Sequence, residues 1–152
     1  MPGKRKAEAR RWFQQALSDL RAARWSIQGE FYDTACFLAQ QAGEKALKSL
    51  LYYVGARRSA LLTHSLTEMI EAAKRQVNAL AGLLEDARQL DLHYIPSRYP
   101  NGLPSGYPHR FYGKPMAEKA AAAAEGILVV VRDHYQAQGE GEILAAEDAA
   151  SE

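Results

Sequence analysis

Five of the six prolines in this chain of 152 residues lie in one twenty-residue window, Pro96 to Pro115, and the sixth is Pro2. Proline removes a backbone donor and breaks helix interiors, so the long flanking segments are left free to be helical. Their apolar residues have that period. Trp12, Ala16, Leu20, Ala23 and Ile27 predict a first helix from about Ala7 to Gln28, with Gly29 as its stop. Ala35, Leu38, Ala39, Ala42, Ala46, Leu50 and Val54 predict a second from about Asp33, ended by Gly55. Ser65 followed by Glu68 reads as a capping box that opens a short third helix, Leu66 to Ala73. Leu80, Leu83, Leu84, Ala87 and Leu90 face inward on a fourth, from about Ala79 to His93. Pro115 suits the first turn of a final helix, from about Met116 to Gln136. No segment alternates like a strand series. The expected fold is all-α: an antiparallel up-and-down helical bundle of four main helices plus one short helix.

The proline-rich window is also the chain's most cationic and aromatic stretch. It carries Arg98, Arg110, Lys114 and His109 among Tyr99, Tyr107, Phe111 and Tyr112, with no acidic residue. Arginine and lysine neutralise phosphate and aromatic faces stack on bases, a combination suited to nucleotides and single-stranded nucleic acid. The competing reading is that some of these rings pack the loop onto the bundle. Arg98 itself could face solvent, or pair with Asp91 or Glu44.

Charge is segregated along the chain. Residues 1–24 hold seven Lys/Arg against Glu8 and Asp19, whereas the last twenty residues hold six acids and no Lys or Arg. The domain is expected to span residues 7–138, between a basic extension (1–6) and a mobile acidic tail (139–152). The basic N-terminus lacks the apolar run of a secretory signal, no segment is long and apolar enough to span a membrane, and the lone Cys36 fits a reducing compartment. A cytoplasmic location is the expectation.

Several chemistries lack their residues. His64, His93, His109 and His134 share no helix turn, and there is no Glu-x-x-His or CxxC pair, so no metal is expected. A phosphate-cradling loop and a dinucleotide fingerprint are also missing, and no cofactor is expected. Cys36, on an apolar helix, reads as a small buried hydrophobe.

Three segments, in order, carry a resemblance: Ala35 to Lys48 (ACFLAQQAGEKALK), Thr63-His64-Ser65-Leu66, and Tyr94 to Pro100 (YIPSRYP). Together they resemble the small stand-alone prokaryotic members of the HEPN (higher eukaryotes and prokaryotes nucleotide-binding) family, over roughly residues 7–136. The resemblance implies a bundle similar to the C-terminal domain of aminoglycoside nucleotidyltransferases. It also implies a homodimer or higher homo-oligomer, and a small nucleotidyltransferase partner in a toxin–antitoxin-like module. Lys45, Lys48, His64, Tyr94, Arg98, Tyr99 and Arg110 are the candidate contacts to a nucleotide or RNA. Many family members are metal-independent ribonucleases built on Arg-x(4–6)-His. Arg88 and His93 match that spacing, as do Arg57 and Arg58 before His64. The favoured expectation is a binding subunit; the alternative is a dimeric endoribonuclease using Arg88 and His93.

Overall fold

In the computed structural model, which describes residues 2–146, helices account for every regular element. Helix α1 (Pro2–Gln28) and α2 (Tyr32–Val54) form an antiparallel hairpin with the broadest helix–helix contact of the fold, and α7 (Lys114–Ala137) packs against both. Small residues make that approach possible. Ala35, Ala39, Ala42 and Ala46 on α2 and Ala117 and Ala124 on α7 are all fully buried. Where the three helices meet, Ser49 Oγ donates to the carbonyl of Ala9 (2.6 Å) and lies 2.7 Å from Tyr135 OH, so the buried hydroxyls are satisfied.

Helix α1 begins well before Ala7, and the cause lies at the other end of the chain. Lys6 pairs with Glu140 (3.0 Å), Arg10 donates to the Ala145 carbonyl (3.2 Å) and Gln14 to that of Ile143 (3.2 Å). The basic start of the chain is thereby a docked helical turn. The segment after Gly139, expected to be a mobile acidic tail, includes a short helix, α8 (Gly141–Leu144), with Ile143 only 1% exposed. The remainder of that expected tail, residues 147–152, lies outside the described residues.

The ends of α2 and α4 follow their sequence signals. Gly55 has φ +69°, the left-handed conformation that favours glycine, and its amide donates back to Tyr52 (3.2 Å). After a short α3 (Arg58–Leu62), which occupies an expected loop, Ser65 caps α4 (Leu66–Ala73) by accepting from the Glu68 amide (3.2 Å). Glu68 does not complete the reciprocal half of a capping box. Its carboxylate accepts from Thr63 Oγ1 (2.5 Å), which in turn accepts from the Ser65 amide (3.1 Å).

The expected fourth helix is split. A tight 3-10 run, Asn78–Leu83, precedes α5 (Leu84–Asp91); Asn78 and Gly82 are both poor helix formers. The proline-rich window is not one open loop either. It holds a 3-10 turn at Pro100–Gly102 and a single helical turn, α6 (Pro108–Phe111), each with proline in its first turn, where the missing amide costs little.

Candidate functional site

The α2 face that carries Gln40, Glu44 and Lys48 is where the long-range polar contacts gather. Glu44 is 4% exposed, and its carboxylate accepts from Lys48 Nζ (3.4 Å) through one oxygen while the other lies 3.0 Å from His64 Nδ1. The tautomer with a proton on Nδ1 satisfies Glu44 and leaves Nε2 as the free ring nitrogen. The His64 side chain is 54% exposed, and its ring stacks on Tyr94 at 4.9 Å and 19°. Gln40, fully buried, donates to the His64 carbonyl (3.5 Å) and accepts from Gln41 (2.7 Å). The imidazole is thus held by Glu44 and the Tyr94 ring, and its backbone by Gln40, with one ring edge toward water.

Arg98 completes the surface. Neither Asp91 nor Glu44 pairs with it. Its Nε donates to the Tyr94 carbonyl (2.9 Å), and its guanidinium lies 4.4 Å from the Phe37 ring, 4.8 Å from Tyr94 and 5.1 Å from Tyr99. Among the described residues no carboxylate forms an ion pair with it. A cation held on rings keeps its charge while its stem is ordered, so Arg98 is poised to grip an oxyanion. Tyr99, 51% exposed, offers the adjacent aromatic face. The loop is braced from beneath by Ser97, whose buried hydroxyl donates to the His93 carbonyl, and by Gly102, where a Cβ would meet Pro96 Cα at 2.9 Å.

Asp91 has a different task. Its two oxygens accept from the amides of Leu66 (2.7 Å) and Thr67 (3.2 Å) and from the hydroxyls of Ser65 (3.1 Å) and Thr67 (2.8 Å). One carboxylate from α5 therefore caps α4 and fixes the turn that presents His64.

The sequence-derived candidates divide accordingly. His64, Tyr94, Arg98 and Tyr99 come together. Lys48 is buried against Glu44, with Nζ also 5.4 Å from the Trp12 ring, so its charge balances the carboxylate inside the fold. Lys45 is spent on Asp19 (2.5 Å). Arg110 stands exposed on α6, and its side chain makes no hydrogen bond or ion pair among the described residues. Arg88 and His93 hold separate partners. Arg88 pairs with Glu85 (3.5 Å) on the surface, while His93 Nδ1 lies 3.1 Å from Tyr112 OH, beside a 350 Å³ cavity that Leu103, Phe111 and Met116 also line. Burial pushes the His93 imidazole below its ordinary value. Glu44 and Phe37 belong to the site although neither was a candidate contact; both lie in the Ala35–Lys48 segment that carries the resemblance, and tertiary packing brings Phe37 to Arg98. Tyr112 is buried, as the packing reading of the loop's rings requires, whereas Tyr107 and Phe111 stay exposed. Cys36 is buried, with its thiol pushed up to about 12 by desolvation. Among the described residues there is no group of His, Cys, Asp and Glu able to hold a metal.

The class is defined by an all-α bundle that displays a histidine stacked on one tyrosine and an arginine laid on that ring and a second. The HEPN domain family is matched over residues 9–134, and the chain belongs to that family. It is 38% identical to TT1696 from Thermus thermophilus, covering 83% of this chain and 97% of that one, with a TM-score of 0.77. ST0689, an archaeal HEPN homologue, is 35% identical with a TM-score of 0.70 over 84% and 97% of the two chains. A HEPN domain protein from Thermotoga maritima, TM0613, is 28% identical with a TM-score of 0.65 over 83% and 98%. No curated protein matches. The family supports a nucleotide- or RNA-related function and commonly forms dimers. Among the described residues no helix is long and apolar enough to cross a membrane.

Proposed function

We propose that this chain is a nucleotide- or RNA-binding HEPN subunit, acting in the cytoplasm as a homodimer or higher homo-oligomer beside a small nucleotidyltransferase, in a toxin–antitoxin-like pair. The observation that carries the binding role is Arg98, a cation laid on Phe37, Tyr94 and Tyr99 with no carboxylate among the described residues paired to it. Phosphate is gripped by Arg98, a base stacks on Tyr99, and His64, whose Nδ1–H is held by Glu44, offers Nε2 as an acceptor to a ribose hydroxyl. The other candidates take outer roles: Tyr94 as the shared platform, Arg110 as a peripheral charge, and Lys45 and Lys48 as supports of the α2 face.

The test is a retardation gel with labelled structured RNA, in EDTA and at low salt. The wild type is expected to retard RNA without cutting it. Arg98→Ala is expected to weaken the complex about tenfold, or ~1.4 kcal/mol, with Arg98→Lys recovering only part because lysine lacks the planar stack. Equal retardation by wild type and Arg98→Ala would remove the proposed site. The ribonuclease alternative is read on the same gel. Cleavage that disappears in Arg88→Ala/His93→Ala would establish it, against the separate partners these two side chains now hold. Co-purification with a nucleotidyltransferase tests the pairing.

A further inference from the structure

A second cationic–aromatic surface lies beside the His64 cluster. Between α1 and α2 runs a groove of about 820 Å³, lined among others by Arg10, Arg11, Trp12, Gln15, Lys45 and Tyr52. Its volume is within the range of small-molecule clefts, ~300–1,000 Å³, yet its character is polar. Trp12 and Tyr52 stack at 5.9 Å and 26°, forming an aromatic wall. Arg10, Arg11 and Lys45 line the groove. Lys45 is paired with Asp19 at 2.5 Å, and the exposed Arg11 shares its charge with Glu8 at 2.7 Å, an exposed pair that a phosphate can compete for. Arg10 brings an additional signal. One end of its guanidinium donates to the Ala145 carbonyl, but its Nε is buried with no partner among the described residues. A buried donor left unmade is costly, and here it belongs to a residue lining the groove.

Groove and cluster are joined by one side chain. Lys48 Nζ sits 5.4 Å from the Trp12 ring on one side and 3.4 Å from Glu44, the partner of His64, on the other. Both surfaces lie along α2, from Tyr52 at the groove to Phe37 under Arg98. At 1.5 Å per residue that stretch is roughly 22 Å long, more than one nucleotide can cover. A single phosphate or nucleotide needs only one end of it. A strand with repeating phosphates and bases matches repeating cations and rings.

We propose that the α1–α2 groove is a second subsite for single-stranded RNA, continuous with the His64–Arg98 surface, so that the ligand is an oligonucleotide laid along α2 and not a mononucleotide. This rests on the nucleic-acid reading above and deepens it. Phosphates run past Arg11 and Arg10, and a base or ribose packs against the Trp12–Tyr52 wall.

The chain has two tryptophans, and Trp25 is 74% exposed and not among the groove's lining residues, so Trp25→Phe leaves Trp12 as the sole indole reporter. That protein is titrated at low salt, in EDTA, with a single-stranded RNA trinucleotide and a decamer, with and without Arg11→Glu. Arg11 is solvent-exposed, so the reversal leaves the core untouched. The decamer is expected to change Trp12 emission and bind more tightly than the trinucleotide, and Arg11→Glu to weaken decamer binding about tenfold while sparing the trinucleotide. Equal affinity for both lengths, or decamer binding that neither alters Trp12 emission nor responds to Arg11→Glu, overturns the groove subsite and leaves the Arg98 site standing. Failure of both RNAs to bind removes both.

Discussion

At the scale of single residues, Asp91 shows how much of the site depends on a side chain that touches no ligand in the proposed reading. Four donors from residues 65–67 converge on its carboxylate. Loss of a helix-capping carboxylate costs about 1–2 kcal/mol, so Asp91→Ala is expected to lower the urea midpoint by that equivalent, with Asp91→Asn recovering part. Because the same turn presents His64, Asp91→Ala should also weaken RNA retardation. His93 supplies a pH signature. Burial holds its pKa below the ordinary 6.5, so near and below that value the unfolded chain binds more protons than the folded one. Its contribution is therefore complete above 6.5 and is lost as pH falls through the folded pKa. Thermal melts from neutral pH downward should show Tm falling below about pH 6.5, with the slope reduced in His93→Gln. The slope does not vanish, because desolvation shifts His134 in the same direction.

Among the elements, α2 is the one that every part of the site refers to, and Gly43 is its tightest point. A Cβ there would meet Leu66 Cδ2 at 2.7 Å, Leu90 Cδ1 at 3.3 Å and Ile127 Cδ1 at 3.4 Å, side chains of α4, α5 and α7 in turn. Alanine is the better helix former by about 1 kcal/mol, but overpacking a filled core costs typically ~1–3 kcal/mol. Gly43→Ala is expected to be net destabilising, or neutral at best, in urea unfolding; a clear rise in stability would show that the three helices can separate freely. The small residues around Gly43 were readable from the sequence as a packing stripe. The division of the fourth helix was not, because its five inward leucine and alanine positions suit a 3-10 run as well as an α-helix at that length. Helix α6 was equally hidden: its prolines signal a loop until the chain around them is seen to close a turn.

For the whole molecule, charge is the property that a solution measurement reads. RNA held through a few phosphate contacts loses about tenfold in affinity between roughly 50 and 200 mM salt, and that loss is the expected behaviour of the retarded complex. Insensitivity to salt would argue against phosphate as the group bound. The sequence by itself determined the all-α bundle, the stop at Gly55, the Ser65 cap and membership of the HEPN family, because these rest on local period, turn chemistry and contiguous segments. It also brought His64, Tyr94, Arg98 and Tyr99 forward as candidates. Tertiary structure alone decided what each charge does. His64 meets Glu44, Lys45 meets Asp19, Arg98 lies on Phe37, Asp91 caps α4, and His93 meets Tyr112. Those outcomes depend on contacts between residues distant along the chain. Helix packing sets such contacts and removes the charges from water, whereas spacing within one helix encodes only that helix's own pairs, such as Glu44 with Lys48.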